Sequence, residues 1–398
     1  MDTGSDSGPG VDAGSRTGPD AGSGTGTRPG GGTHPGGGTD RRGGTMRAVK
    51  WAGPGRLDEH EVPVPSVLPG RVLVRVSRVG VCGSDLAILR GQHARAEPGV
   101  ILGHEFVGTV AAADAADAPP VGSQVAVRPL IACADRGTVP PCRACASGNA
   151  HVCVALGLYG VDEPGGLAGY VSVRAAAVHP VAPAVPPARA ALAEPLAVAV
   201  HAVSRSGLTA GATVVVFGAG PIGLFTALVA RRGGAGDVLI VEPNAWRREI
   251  AERYGFATLP AGADTPALIR ARTRGEGADL VFDSAGHPSV ALQLTEAARI
   301  QGTIVVVGVY KTPPPVDLRT VNFAEHRLIG TRVYTREDFG TAVGLIETDE
   351  LGLSALPTRT YPLDEAADAF AAAGGGEGSV KVLIEPGHTS GEREQGNA

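Results

Sequence analysis

Four cysteines lie within one segment of the chain, with the spacing C-x8-C-x2-C-x7-C: Cys133, Cys142, Cys145 and Cys153. Four thiolates can surround a zinc ion as a closed tetrahedral site, which stabilises a lobe of a protein and leaves no open position for chemistry. The sequence therefore predicts a structural zinc site. Because the first gap is unusually long, a group of thiols without metal stays open as the alternative.

A second set of potential metal ligands is spread more widely. Cys82 stands in the run VGVCGSD, His104 and Glu105 follow 22 residues later, and Glu194 lies much further downstream. A thiolate, an imidazole and a carboxylate would hold zinc with one position open, which is the arrangement of catalytic zinc sites. A single buried cysteine is more often a packing residue, so the spacing alone leaves both interpretations open.

A glycine-rich pattern follows a run of valines and precedes an apolar helical pattern: Gly218, Gly220 and Gly223. In a G-x-G-x-x-G motif, the glycines permit a tight turn, a close approach of pyrophosphate to a helix N-terminus, and close helix–strand packing. Glu242, about 20 residues further on, can accept hydrogen bonds from the adenosine ribose, which favours NAD. Arg247 and Arg248 keep NADP open, because an arginine can accommodate its 2′-phosphate. A turn without a ligand is the remaining alternative.

The composition excludes several classes of function. A chain of 398 residues suggests about two domains. Its net charge of -5 argues mildly against nucleic acid and anionic membranes as main partners. There is neither an apolar run of the roughly 18 residues that a membrane helix needs nor the apolar core of a signal peptide. We therefore expect a cytoplasmic protein, in which five cysteines serve as thiols or metal ligands.

Hydrophobic periodicity predicts the elements that position these residues. Apolar and polar residues alternate from Val72 to Val79, and short apolar runs continue to about Val178, which predicts a β-rich region with Cys and His in its loops. Residues 189–206 predict a helix broken at Pro195. Strands and helices then alternate over residues 212–333, which is typical of a parallel sheet with right-handed crossovers.

The predicted strands of that alternating region are 213–217, 238–241, 279–282, 303–307 and 328–330, with helices over 222–232 and 245–254. Helices over 339–346 and 363–373 and a strand over 380–384 are predicted to follow. Residues 1–45 are mostly Gly, Asp, Ser, Thr, Pro and Arg, and they predict a disordered tail. Met46 is the only methionine after Met1, so a translation start at Met46 is an open alternative. Residues 389–398 also predict a tail.

Together these motifs resemble the zinc-containing medium-chain alcohol dehydrogenases, in particular their polyol, butanediol and threonine dehydrogenase branch. The resemblance covers about residues 46–386 and depends on motifs in the same order: GVCGSD (80–85), GHE (103–105), the four-cysteine segment, EPLAVAVHAV (194–203), GAGPIG (218–223) and VYTREDF (333–339). It implies an α/β fold with a GroES-like β-rich catalytic domain and an inserted Rossmann domain, a doubly wound parallel sheet. The implied boundaries are 46–200 for the catalytic domain with its zinc lobe, 201–334 for the NAD-binding domain, and 335–388 for the return to the catalytic domain.

The resemblance also implies roles for single residues. Cys82 and His104 match catalytic zinc ligands, and Glu105 matches the third. Glu194 stands where other branches carry a ligating cysteine, so it would ligate directly or through water. The implied catalytic residues are Ser84, which takes the substrate proton, and Asp85, which orients the ligating histidine. The implied cofactor contacts are Gly218, Gly220, Ile222, Gly223, Glu242, Arg247, Val307, Gly308 and Val309.

The implied activity is the NAD-dependent oxidation of a secondary alcohol of a polyol, vicinal diol or cyclitol, by a homodimer or homotetramer that needs zinc. Two departures from the family pattern matter. Many relatives carry, at the position of Ala87, a histidine that passes the proton to solvent, so here the relay would end in water or in His93. The family's zinc lobe has two residues between its first two cysteines, whereas this chain has eight.

Three alternatives stay open. The absence of histidine at position 87 also occurs in enzymes that resemble aminocyclitol dehydrogenases of the 2-deoxy-scyllo-inosamine type. Threonine 3-dehydrogenase is another candidate activity. A non-enzymatic, crystallin-like scaffold that binds NAD is the third, and such a protein would be expected to have lost zinc ligands.

Overall fold

The structure is a computed structural model that describes residues 44–387. Most of the predicted N-terminal tail and all of the predicted tail over 389–398 lie outside the described residues. Thr45, the last residue of the predicted N-terminal tail, already pairs with Pro63 in the first two-stranded sheet. The domain boundary at Met46 stays a prediction. No helix in the described range combines the length and the apolar character that crossing a membrane requires.

The strands between residues 44 and 387 follow the chain in this order: β1 (Thr45–Gly53), β2 (Arg56–Pro63), β3 (Arg71–Gly80), β4 (Glu105–Ala113), β5 (Gln124–Val127), β6 (Leu130–Ile131), β7 (Gly157–Leu158), β8 (Tyr170–Arg174), β9 (Val178–Pro180), β10 (Thr213–Phe217), β11 (Asp237–Val241), β12 (Ala257–Leu259), β13 (Ala278–Asp283), β14 (Ala298–Val306), β15 (Arg327–Gly330), β16 (Thr358–Pro362) and β17 (Lys381–Glu385).

The α-helices of the same range are α1 (Gly83–Leu89), α2 (Arg143–Ala146), α3 (Pro187–Ala190), α4 (Ala193–Ser206), α5 (Pro221–Arg232), α6 (Ala245–Arg253), α7 (Thr265–Arg272), α8 (Pro288–Ala291), α9 (Gln293–Ala297), α10 (Leu318–Phe323), α11 (Arg336–Thr348) and α12 (Ala366–Gly375). Short 3-10 helices lie at Ala134–Arg136, Ala150–Val152, Ala175–Ala177, Leu353–Ala355 and Leu363–Glu365.

One sheet is parallel throughout, in the order β12-β11-β10-β13-β14-β15. Its central strands are buried on both faces, as Val214, Val215 and Val216 of β10 show with 0% exposure. This is the doubly wound order in which the chain reverses direction across the sheet between β10 and β13, and ligands bind at such a switch point. The predicted alternation of strands and helices is confirmed.

The other large sheet has the order β16-β17-β3-β4-β5-β9, with β8 also paired to β3. Its pairings are antiparallel except for β16 with β17. The last two strands of the described chain thus join strands from its first half, so this sheet is built from both ends of the described chain. The exact domain boundaries at residues 200 and 334 stay a prediction.

The predicted helix break at Pro195 is wrong. Pro195 is the third residue of α4, and the interruption comes instead at Ala191 and Leu192, between α3 and α4. Proline is tolerated in the first turn because the N–H groups there have no partner within the helix. As a result, the neighbouring Glu194 also lies in the first turn of a continuous helix.

Candidate active site and metal centres

Three of the predicted zinc ligands meet where β3 ends and β4 begins. Cys82 is the residue that precedes α1, and its backbone N–H donates to the Asp85 carboxylate at 2.9 Å. His104 directly precedes β4, and Glu105 pairs with Gly80 at the end of β3. One ligand atom from each of Cys82, His104 and Glu105 lies within 4.8 Å of the others. The structure therefore assembles a thiol, an imidazole and a carboxylate at one point.

Ser84 and Asp85, which follow Cys82 closely in the chain, both lie near the imidazole of His104. Asp85 Oδ1 lies 3.3 Å from His104 Nδ1, and Ser84 Oγ lies 3.3 Å from His104 Nε2. Burial disfavours a charge on His104, but the Asp85 carboxylate and the Cys82 sulfur together raise the pKa of His104 well above its usual value. Surroundings that stabilise an imidazolium would also stabilise a metal cation.

Glu105 has a buried cationic partner that sequence reasoning missed. Lys381 Nζ forms an ion pair with Glu105 Oε2, and the two residues are only 3% and 1% exposed. Gly80 leaves the space for this pair, because a Cβ there would lie 2.8 Å from Lys381 Cε and closer still to the carboxylate. The available signal was a lysine within the apolar strand VKVLI of a chain that contains only three lysines.

Glu194 is not among these three mutually close ligands, but it lies near enough for the charges of Glu105 and His104 to act on its carboxyl group. The Tyr334 hydroxyl donates to Glu194 Oε1 at 2.8 Å. Burial and the negative charge of Glu105 raise the pKa of Glu194 to about 7. Burial and the Glu194 carboxylate in turn raise the pKa of Tyr334 well above its usual value, so its phenol stays a neutral donor. The structure thus places Glu194 near the metal ligands with a fixed hydrogen-bond partner.

The four remaining cysteines form a second cluster, in which all four sulfur atoms lie within 4.8 Å of one another. Cys133 Sγ lies 3.5 Å from Cys153 Sγ, and Cys142 Sγ lies 3.9 Å from the same atom. All five cysteines are free thiols. A hydrogen bond from the Cys145 backbone lowers the pKa of Cys142 to about 6, whereas burial raises the pKa of Cys145 to about 12. Cys142 is therefore the thiol of this cluster most readily present as the thiolate that zinc binds.

The long gap between Cys133 and Cys142 begins with residues that form hydrogen bonds to the chain just before Cys133. The Asp135 carboxylate accepts from the backbone N–H of Ala132 at 2.7 Å, and the Arg136 guanidinium donates to the carbonyl of Ile131 at 2.9 Å. These contacts keep the first residues of the long gap beside Cys133. The insertion therefore does not prevent Cys133 from reaching the other three thiols.

The glycine motif forms a turn between β10 and α5. Gly218 has φ +99°, a conformation that favours glycine. A Cβ at Gly223 would lie 2.8 Å from the carbonyl carbon of Gly218, so only glycine allows this close packing. Gly220 precedes the first residue of α5, and Ile222 lies in the first turn. The turn therefore lies at the N-terminus of α5, where backbone N–H groups are suited to bind a phosphate.

Glu242 directly follows β11 and reaches the same turn. Its carboxylate accepts from the backbone N–H of Ala219 at 2.7 Å and of Asn244 at 2.9 Å. The two arginines point to different places. Arg248 donates to the carbonyls of Glu242 and Pro243, both at 2.8 Å. Arg247 instead lies near Gly220, with a guanidinium nitrogen 4.0 Å from where a Cβ would stand. Arg247 is therefore placed over the N-terminus of α5.

The predicted nicotinamide segment follows β14. The N–H groups of Val307 and Gly308 donate to the Asp283 carbonyl at 2.9 and 2.7 Å, and Val309 is 89% exposed. The Tyr310 hydroxyl donates to the Asp283 carboxylate at 2.6 Å, a contact that sequence reasoning also missed. Lys311 Nζ donates to Gln92 at 2.9 Å, which ties this segment to the chain just beyond α1. The segment thus contacts the end of β13 on one side and the chain just beyond α1 on the other.

Comparisons with known proteins agree with this arrangement. Residues 68–183 match the model of the alcohol dehydrogenase GroES-like domain, and residues 221–348 match that of the zinc-binding dehydrogenases. A 2-dehydro-3-deoxy-L-galactonate 5-dehydrogenase of Pseudoalteromonas atlantica is 36% identical over 79% of this chain and 92% of its own length. An erythritol/L-threitol dehydrogenase of Mycolicibacterium smegmatis is 34% identical over 86% of this chain and 98% of its own length.

A Sinorhizobium meliloti protein, whose crystal structure contains NADP, has a similar fold, with a TM-score of 0.78 and 31% identity. That alignment covers 86% of this chain and 99% of the other. The predicted combination of a GroES-like domain with a doubly wound parallel sheet is therefore confirmed.

Proposed function

Because the chain belongs to the zinc-containing medium-chain alcohol dehydrogenases, we propose that it oxidises a secondary alcohol of a polyol, vicinal diol or cyclitol to the ketone, with NAD as the hydride acceptor. The observation that carries this proposal is the cluster of Cys82, His104 and Glu105, with Ser84 beside it. A thiol, an imidazole and a carboxylate suit Zn²⁺ and leave a position for the substrate. The four-cysteine cluster suits a second, structural zinc.

The residues around the proposed zinc site would each have a separate role in the oxidation. When bound, zinc supplies a Lewis acid that lowers the pKa of the substrate hydroxyl, and nicotinamide supplies the hydride acceptor. Ser84 Oγ, next to the ligating imidazole, would take the hydroxyl proton. Asp85 would hold the imidazole of His104 through Nδ1, so that Nε2 faces the metal position. Residues 307–309 would bind the nicotinamide.

The proton must then leave Ser84 without a histidine at position 87. Ala87 has no group that can carry it, so we assign its release to water or to His93. The Nδ1 atom of His93 accepts from the backbone N–H groups of Arg95 and Ala96 at 3.3 and 3.2 Å. Burial and the nearby charge of Arg95 lower the pKa of His93, and its acceptor nitrogen is already occupied by these two backbone donors, so water is the preferred acceptor of the proton.

The substrate class rests on relatives that act on polyols and sugar acids by name. A secondary alcohol flanked by a second polar group is common to that set. An aminocyclitol is the second choice because of Ala87, and threonine, named for two relatives at 31% identity, is the third. A crystallin-like scaffold is disfavoured, because Cys82, His104, Glu105 and Glu194 are all present.

A substrate panel tests the proposed function. Zinc-loaded protein would be mixed with NAD and with diols, hexitols, inositols, aminocyclitols, sugar acids and threonine, and NADH absorbance would be followed. We expect turnover with polyols, diols or cyclitols. Turnover confined to aminocyclitols or to threonine would select that alternative. Tight NAD binding without turnover of any compound would favour the scaffold.

The preference for NAD over NADP is proposed from Glu242, whose carboxylate would meet a 2′-phosphate. We expect Glu242→Ala to raise the KM for NAD by about 10-fold or more while changing that for NADP much less, since only NAD loses a ribose hydrogen bond. Steady-state kinetics with both cofactors measures this. Glu249→Ala, an exposed change on α6, is the matched control. An unmodified enzyme that already prefers NADP would contradict the assignment.

We further propose that the protein acts in the cytoplasm as a homodimer or homotetramer. Its five free thiols are compatible with a reducing compartment. Light scattering coupled to size exclusion would give the mass of the assembly, and a monomer would contradict this part of the proposal.

A further inference from the structure

The segment VYTREDF (333–339) has no part in the chemistry proposed above, yet it contacts the active site directly. Tyr334 is fully buried, and its hydroxyl donates to Glu194 Oε1 at 2.8 Å across 140 residues of sequence. Val333, just before it, has φ +43°. A β-branched residue rarely adopts this left-handed conformation, and such strain persists only where surrounding contacts impose it.

The same segment contacts the helix of Glu194 at a second point. Thr335 precedes the first residue of α11, and its hydroxyl donates to the Asp338 carboxylate at 2.8 Å. The Nδ1–H of His201 donates to the same carboxylate at 2.7 Å. His201 lies seven residues after Glu194 on α4, about two helical turns further along the same face.

The hydrogen bonds of Tyr334 and Asp338 attach the 333–339 segment to one face of α4. The ring of Phe339 packs 5.6 Å from the ring of Tyr334, so the phenol has little freedom to turn away from the carboxylate. Tyr334 and Asp338 therefore fix both the side chain of Glu194 and the helix that carries it. The other acidic residue of the site, Glu105, is held by a different device, its ion pair with Lys381.

We infer that Tyr334 is a positioning residue, which orients the Glu194 carboxylate toward the metal position through the hydrogen bond between its hydroxyl and Glu194 Oε1. The inference rests on the proposed zinc site. It gives the 333–339 segment a function: the segment sets where Glu194 stands, without touching the substrate or the metal itself. Hydrogen-bond partners of this kind change metal affinity or activity by roughly 10-fold to 100-fold when removed.

The test compares Tyr334→Phe, Glu194→Gln and the double variant in the full-length protein. Tyr334→Phe keeps the ring and removes only the hydroxyl. Zinc affinity is measured by competition with a chelator, and the zinc of this site is identified as the zinc that Cys82→Ala lacks. We expect Tyr334→Phe to weaken zinc binding at this site by about 10-fold. The double variant should be no weaker than Glu194→Gln alone, because the tyrosine acts through the glutamate.

Tyr254→Phe is the matched control, because its hydroxyl also makes a single hydrogen bond, to the Gly352 carbonyl at 3.0 Å, and does not contact the site. It should leave zinc affinity unchanged. Should Tyr334→Phe fold poorly, Tyr334→His and Tyr334→Leu supply the comparison, since only the imidazole can donate a hydrogen bond to Glu194, and Tyr334→His should keep more zinc affinity than Tyr334→Leu.

Two outcomes would overturn the inference. Losses in zinc affinity that add in the double variant would mean that Tyr334 acts independently of Glu194. A lower melting temperature with unchanged zinc affinity would mean that the residue only stabilises the fold. A wild-type protein that binds zinc at Cys82 but oxidises no alcohol would refute the proposed function alone, because the affinity measurements would still be interpretable.

Discussion

Cys82→Ala is expected to abolish turnover, by about a thousand-fold or more, and to remove one zinc ion per chain. A Lewis acid at the substrate oxygen supplies several kcal/mol of transition-state stabilisation, and each 1.36 kcal/mol is a factor of ten in rate. The fold should survive, because the Cys82 hydrogen bond to Asp85 comes from its backbone N–H, which alanine retains. Activity, elemental analysis and the melting temperature measure the three effects.

The comparison variant is Cys145→Ser, which changes a thiol outside the proposed active site. It should keep most of the activity that Cys82→Ala loses. Retained turnover in Cys82→Ala, or in wild-type protein stripped of all zinc, would refute the role assigned to the Cys82 cluster.

Two zinc ions per chain are expected in the wild-type protein, and Cys145→Ser should lose one of them. Lengthening the first gap from two to eight residues costs only about 1 kcal/mol in closure entropy. That is small against the binding free energy of about 10 kcal/mol or more by which thiolates hold structural zinc. With all four sulfur atoms within 4.8 Å of one another, the site should form.

The loss of this zinc should lower the melting temperature by about 5 °C or more, since 1 kcal/mol shifts the midpoint of a domain by about 2–4 °C. Elemental analysis and calorimetry on the same samples provide the test. One zinc per chain in the wild-type protein, absent from Cys82→Ala, would show that the four-cysteine lobe is empty.

The sequence by itself determined the features whose parts lie close together along the chain. The turn at Gly218, its glycines and the following helix are a local pattern, because the backbone conformation and the packing of that turn depend on residues only a few positions apart. The four cysteines fall within one short segment, so their cluster was also predictable. The parallel sheet followed from alternating apolar strands and helices, because that alternation forces right-handed crossovers.

Tertiary structure alone decided the partners of the two acidic residues at the active site. Lys381 reaches Glu105 only because β17 pairs with β3 and β3 pairs with β4, so that strands distant in sequence lie side by side in one sheet. Tyr334 reaches Glu194 only because α11 packs beside α4. Local patterns carry no information about such pairings, since a buried ion pair or hydrogen bond depends on strand register and helix packing, which the whole core determines.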